Sequence, residues 1–241
     1  MMGSMAIKDD GKPKPTILVV SHERSGTHYL INSIAKNLGY SNQEESLLGT
    51  KDTIFRRIFD RKDGGVIFKS HHQYEYLCPV IEKISKAVKV IYILRDGRDV
   101  LASFFHYVNI KGNSGVVPGC FPSNITFSEM LRSDPRNYTF DSVYSLIRST
   151  NMAERWARHI KGWTNRVYSV RFEGMKKEFP RVMSGIAQYV GVDHDGPWTE
   201  PTLLDRGMGN RKGIVGDYIG VFSEEDCSFF DSETKKVIGV G

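Results

Sequence analysis

The sequence predicts an α/β protein built on a doubly wound, mostly parallel β-sheet flanked by helices. Three observations carry that expectation. The runs TILVV (16–20) and VKVIYIL (88–94) are almost continuously apolar, as expected of parallel strands covered on both faces. Stretches with apolar residues at helical spacing separate the β-rich runs. Polar turns containing glycine follow the strands, at the edge of an open α/β sheet where ligands bind.

The elements follow in order. Residues 1–15, MMGSMAIKDDGKPKP, read as a flexible leader, in part an addition made for expression. Residues 16–241 read as a single domain, because no internal repeat or low-complexity linker divides them. After the first strand, Leu30, Ile31, Ile34, Ala35 and Leu38 form one stripe, with Gly39 where a helix C-cap belongs. GVIFK (65–69) is the second strand, and Leu77, Ile81, Ile84 and Val88 repeat the helical pattern. The third strand is 88–94, with Asp99 in the first turn of the helix after it. RVYSVRF (166–172) is the fourth, followed by Val182, Met183, Ile186, Ala187 and Val190 behind Pro180, which suits a first helical turn. Segments 41–64, 108–142 and 194–222 show no clear pattern, and loops that long are usually functional or mobile.

Hydrophobic residues make up 40% and charged residues 25% of the 241, as in a globular, soluble chain. The net charge of +5 is dispersed, with no run of five Lys or Arg. That argues against a nucleic-acid arm and suits a small anionic ligand. Cys78, Cys120 and Cys227 lack metal-site spacing and read as reduced thiols of a cytoplasmic protein. No apolar run approaches the roughly 18–20 residues of a membrane span, and no signal-peptide core is present. The histidines show no ligand spacing with Cys or paired carboxylates, so no metal is expected.

Three segments have the chemistry of anion sites. In HERSGTHYL (22–30), Gly26 permits a tight turn, and the amides of Ser25 to His28 converge at a helix N-terminus. Ser25 and Thr27 add hydroxyls and Arg24 a fixed cationic fork. The longer G-x-x-x-x-G-K-[ST] of ATP and GTP sites is absent. A Ser/Thr-capped helix after a strand gives the same pattern. In LRDGRDVLASFFHY (94–107), Arg95 at the strand end and Ser103 would close on a phosphate from two sides; an Arg95–Asp99 ion pair explains the same residues. RKGIVGD (211–217) places two cations before two glycines, a nest-like loop or a charged surface turn. Together the three suit a nucleotide phosphorylated at both ends.

These segments, in this order and at these separations, resemble the 5′-phosphosulfate loop, the 3′-phosphate motif and the C-terminal R-K-G-x-x-G-D-W loop of cytosolic-type sulfotransferases, a P-loop-like nucleotide-binding fold. FEGMKKEFPRVMSGIAQYVGV (172–192) resembles that family's Y-E-D-(L/M)-K segment and the helix after it. The resemblance spans about residues 16 to 230. It implies 3′-phosphoadenosine 5′-phosphosulfate (PAPS) as sulfuryl donor, 3′,5′-ADP (PAP) as product, and a small-molecule acceptor hydroxyl or amine. By it, Ser25, Gly26, Thr27 and His28 hold the 5′-phosphate, and Tyr29 takes the place of an adenine-stacking Trp. Arg95, Ser103, Arg211, Lys212 and Gly213 hold the 3′-phosphate. Arg24 replaces the family's Lys, Phe172 replaces a Tyr among the cofactor-binding positions, and the family's dimer motif is not recognisable around 219–228.

The reacting centre falls in IFKSHHQY (67–74). On an extended segment Lys69 and His71 share a face, with Ser70 and His72 on the other. The family's K-(T/S)-H matches KSH here and implies His71 as general base, with Lys69 and Arg24 steadying the charge that develops on transfer. His72 is the rival base. The acceptor is not readable: Phe55, Phe59, Phe121, Phe127 and Tyr138 suggest an apolar body, and Arg56, Arg57 and Arg61 an acidic group. An ATP-using, P-loop kinase-like phosphotransferase and a non-catalytic binder of the 3′-phosphoadenosine nucleotide are the competing readings.

Overall fold

The computed structural model describes residues 14–41, 44–47, 49–61, 64–84, 88–113, 125–138, 149–202 and 213–239. The leader (to residue 13), Cys120, Phe121, Arg211 and Lys212 lie outside these. Five strands form one parallel sheet: β1 Thr16–Ser21, β2 Glu44–Ser46, β3 Ile67–Ser70, β4 Val88–Leu94 and β5 Tyr168–Arg171, in the order β2-β3-β1-β4-β5. The chain leaves β1 toward β2 on one side and leaves β4 toward β5 on the other. The crevice between the carboxyl ends of β1 and β4 is therefore the topological switch point, where such sheets bind ligands.

The apolar runs are continuous because both faces of the sheet are covered. Ile17 and Val19 of β1, with Ile91 and Ile93 of β4, pack under α1 (Thr27–Leu38), α7 (Phe172–Lys177) and α8 (Phe179–Val190). Leu18 and Val20, with Val90 and Tyr92, pack under α2 (Lys51–Phe59) and α3 (Tyr74–Ile84). A third cluster joins α4 (Gly97–Asn113), α5 (Phe127–Arg132), α6 (Met152–Trp163) and α9 (Glu224–Ile238). Gly97 lets α4 enter it: a Cβ there would stand 2.6 Å from the Trp156 and Phe230 rings.

Several expectations are corrected. Val88 is the first residue of β4, not the end of the α3 stripe. The second strand starts at Ile67, because Gly64 and Gly65 both have positive φ and stay out of the ladder. The fourth is confined to Tyr168–Arg171, and Phe172 begins α7. Segment 41–64 holds β2 and α2, and 108–142 holds the end of α4 and α5. Segment 194–222 contributes a 3-10 turn, Asp217–Gly220. Phe127 is a core residue rather than a pocket lining.

Candidate active site at the strand ends

β1 ends on Ser21, and the chain then turns through residues 22–26 into α1. Two residues of that turn are left-handed, Arg24 (φ 68) and Gly26 (φ 98). Gly26 is required twice, for its φ and because a Cβ would lie 2.4 Å from Cδ2 of Phe172. Ser25 is fully buried, and its hydroxyl has no partner among the described residues. No side chain among the described residues caps α1 at Gly26, and a helix N-terminus of this kind favours an anion. The Thr27 hydroxyl lies 2.6 Å from that of Ser21.

β3 ends beside this loop. His71 Nδ1 is 2.9 Å from the Ser21 carbonyl oxygen and 3.2 Å from the Ser21 hydroxyl. A carbonyl only accepts, so Nδ1 carries the hydrogen and the lone pair sits on Nε2. Burial, with Lys69 and His28 nearby, pulls the His71 pKa below its ordinary 6.5, against the opposing effects of Glu23 and the Ser21 bond. Lys69 Nζ lies 3.4 Å from His28 Nε2; an ammonium only donates, so that imidazole nitrogen accepts. Lys69 thus meets α1 and His71 the last residue of β1, on either side of the first loop. His72 instead pairs with Ser70 (2.7 Å), stacks on Tyr76 and accepts the Trp163 indole N–H at its carbonyl. It is buried.

A polar cluster beneath the loop is invisible at the level of motifs. Arg155 of α6 donates to both oxygens of Glu23, at 2.6 and 2.7 Å, and to His22 Nε2 at 2.9 Å. His22 therefore accepts at Nε2 and donates its Nδ1–H to the Glu23 carbonyl, 3.0 Å away. Burial, then Arg155, lowers the His22 pKa to about 4. Burial is the largest single influence and opposes the charge on Glu23, but Arg155, His22 and His71 together outweigh it and hold the carboxyl far below the usual range. His159, one turn along α6, pairs with the Tyr92 hydroxyl at 2.9 Å, and burial keeps it neutral.

The second loop follows β4. Arg95 is buried, 3.4 Å from Asp99, and donates to the Ile214 carbonyl at 2.7 Å. Its guanidinium covers the Phe172 ring, 4.6 Å from the centroid. Asp99 accepts from the amides of Gly216 (2.9 Å) and Tyr218 (3.1 Å), fastening the C-terminal loop to α4. That loop turns on Gly213 (φ 61) and Gly216 (φ 84). The Arg95–Asp99 ion pair is present, and Ser103 meets Arg24 rather than Arg95: Arg24 Nε donates to its hydroxyl at 3.2 Å. Arg24 also covers the Tyr107 ring.

Tyr29 follows the loop on α1. Its ring is buried, edge-on to Phe172, with Lys176 over it and its hydroxyl donating to Glu200 at 2.6 Å. The ring belongs to the core cluster under α1 and α8. A cavity of about 960 Å³ lies elsewhere, among Gln73, Tyr76, Thr150, Gly162 and Lys236. None of the expected donor-binding residues lines it.

Among known proteins, the sulfotransferase domain family matches residues 14–202. The chain is 24% identical to an amine sulfotransferase of Oryctolagus cuniculus, over 91% of this chain and 69% of that protein. It is also 24% identical to sulfotransferase 1A1 of Bos taurus, over 65% of this chain but only 57% of the relative's length. Mouse sulfotransferase SULT7A1 complexed with PAP shares the fold, with a TM-score of 0.68 and 23% identity over 94% of this chain and 86% of that one. So does retinol dehydratase in complex with retinol and PAP, at 0.60 and 17%, over 94% and 82%. The match over most of its length, on the parallel sheet and strand-end loops described above, shows that the chain belongs to the sulfotransferase domain family.

Proposed function

We propose that this protein transfers a sulfuryl group from PAPS to a hydroxyl or amine of a small-molecule acceptor, in one in-line displacement with His71 as general base. The observation that carries the reading is the double role of Ser21. Its hydroxyl meets Thr27 of the phosphate loop, and its carbonyl fixes the His71 tautomer. Anion loop and base are thereby one residue apart in space. Ser25 fits the donor as well, since a buried hydroxyl with no protein partner among the described residues asks for a ligand atom.

When bound, PAPS supplies the activated sulfuryl group. Ser25, Gly26, Thr27 and His28 hold the 5′ end through amides and hydroxyls. Arg95, Ser103, Gly213 and the residues Arg211 and Lys212 hold the 3′-phosphate, with Phe172 packed beneath. His71 Nε2 takes the proton from the attacking acceptor, and its lowered pKa keeps it in the basic form at neutral pH. Lys69 and Arg24 stabilise charge as the sulfur–oxygen bond to the nucleotide breaks. Arg24 stays charged throughout and donates no proton to the leaving group. An amine sulfotransferase among the relatives and PAP in the solved neighbours support this reading. No helix among the described residues is long and apolar enough to cross a membrane, and we assign the enzyme to the cytoplasm.

Thermal shift with 3′,5′-ADP, AMP and ATP tests the donor. Ligand at a hundred times its Kd stabilises the native state by about 2.7 kcal/mol, and only 3′,5′-ADP should do so. Equal stabilisation by AMP would reject the 3′-phosphate assignments, and preference for ATP would favour a phosphotransferase. His71→Ala should abolish transfer and keep 3′,5′-ADP affinity. Unchanged turnover in that variant removes His71 from the mechanism.

A further inference from the structure

Glu23 is a carboxylate in the very turn that the proposed function gives to an anionic donor. A negative charge there repels the donor, and the chain adds a buried arginine to hold it. Arg155 reaches from α6 to grip Glu23 with two bonds, and its third reaches His22. Arg155 is 1% exposed. The three residues Ser21, His22 and Glu23 are consecutive, so the clamp on the last two fixes the backbone whose carbonyl, on Ser21, orients His71.

We infer that Glu23, held in place by Arg155, is the positioning residue for His71: its carboxylate stabilises the imidazolium that forms when His71 takes the acceptor's proton, while the clamped turn holds the Nδ1–H on Ser21. The inference rests on the proposed role of His71 as base. Its chemical sense is that a neutral, half-buried imidazole beside the Lys69 ammonium is a weak base. The titratable and charged groups whose fields reach this cluster are Lys69 at the end of β3, His28 on α1, Glu23 and His22 in the first loop, and His159 and the Glu23-bound Arg155 on α6. Glu23 is the one carboxylate among them. Its own proton affinity is far too low for it to be the base.

The test separates a charge partner from a structural brace. Glu23→Gln removes the charge and leaves an amide oxygen for Arg155. His71 should then titrate about one pH unit lower by NMR, the scale of one neighbouring charge. The acid limb of the kcat profile should move down with it, and kcat should fall about tenfold. Affinity for 3′,5′-ADP should hold or tighten, because a negative charge has left the loop. Glu23→Asp should restore the acid limb. Should Glu23→Gln prove unstable, Glu23→Gln with Arg155→Met removes both charges and strands neither, and His71 should still titrate lower than in the native protein. An unmoved His71 titration in a folded variant overturns the inference. Loss of melting temperature with unchanged kcat and pH profile overturns it too, and leaves only a brace. Turnover that survives His71→Ala is a different failure, since it removes the base itself, and the NMR titration still reports whether Glu23 acts on the imidazole.

Discussion

Replacing Gly26 by alanine tests the shape of the phosphate loop directly. Gly26 sits at φ 98 and ψ 23, a conformation that costs an L-residue about 1–2 kcal/mol. The new Cβ would also stand 2.4 Å from Cδ2 and 2.9 Å from Cε2 of Phe172, well inside the ~3.5–4.0 Å of a carbon–carbon contact. Phe172 is 3% exposed and lies under the Arg95 guanidinium, so the ring has little room to retreat. Overpacking of this kind costs about 1–3 kcal/mol. Gly26→Ala should therefore destabilise by about 2–5 kcal/mol, a large part of the ~5–15 kcal/mol that holds a typical domain folded. Urea unfolding reads it as a lower midpoint at constant slope, and 3′,5′-ADP binding should weaken in parallel. The two causes separate in a double-mutant cycle. In a Phe172→Ala background the overlap is gone and the backbone cost remains, so Gly26→Ala should cost about 1–3 kcal/mol less there. A single-variant cost below about 1 kcal/mol, or the same cost in both backgrounds, would refute the reasoning.

Two further outcomes follow from buried charges. His22 has a folded pKa of about 4 against 6.5 when unfolded, so below pH 6.5 the unfolded chain binds the extra proton. Stability should fall as pH drops from 6.5 to 4, by about 3 kcal/mol, and level off below; His22→Gln should flatten that part of a urea-unfolding series, and an unchanged slope would reject the assignment. Asp99→Ala leaves Arg95 buried without its carboxylate, at a cost of about 3–5 kcal/mol. It should also speed hydrogen exchange at the amides of Gly216 and Tyr218, and unaltered protection at both would mean that Asp99 does not hold the loop.

The strands that frame the site were legible because burial on both faces writes itself as an unbroken apolar run, as in 16–20 and 88–94. β2 was not, since Glu44–Ser46 is a strand only through its pairing with β3, and EES carries no pattern of its own. Val88 misled because four-residue spacing continued past the end of α3 into the next strand. At the site, Arg24, Ser25, Lys69, His71 and Arg95 were legible because each stands at a strand end next to a turn. The cluster of Glu23, His22, Arg155 and His159 was hidden for two reasons. Its partners are more than a hundred residues apart, and Arg155 and His159 occupy the buried face of α6, where apolar side chains are the expectation. Asn151 with Glu154 at the start of α6 was the available signal for that helix.

The Asp99 carboxylate has a consequence for how salt affects the enzyme. It already neutralises Arg95 while it anchors Gly216 and Tyr218. On the proposed reading, a phosphate arriving at that guanidinium would enter as an exchange of one negative partner for another, with few small ions set free from the surface. Nucleotide affinity should therefore weaken with ionic strength less steeply than the number of cations around the crevice implies. Release of the spent nucleotide would return the guanidinium to its own carboxylate, so on that reading departure would be helped by an anion already tethered beside it.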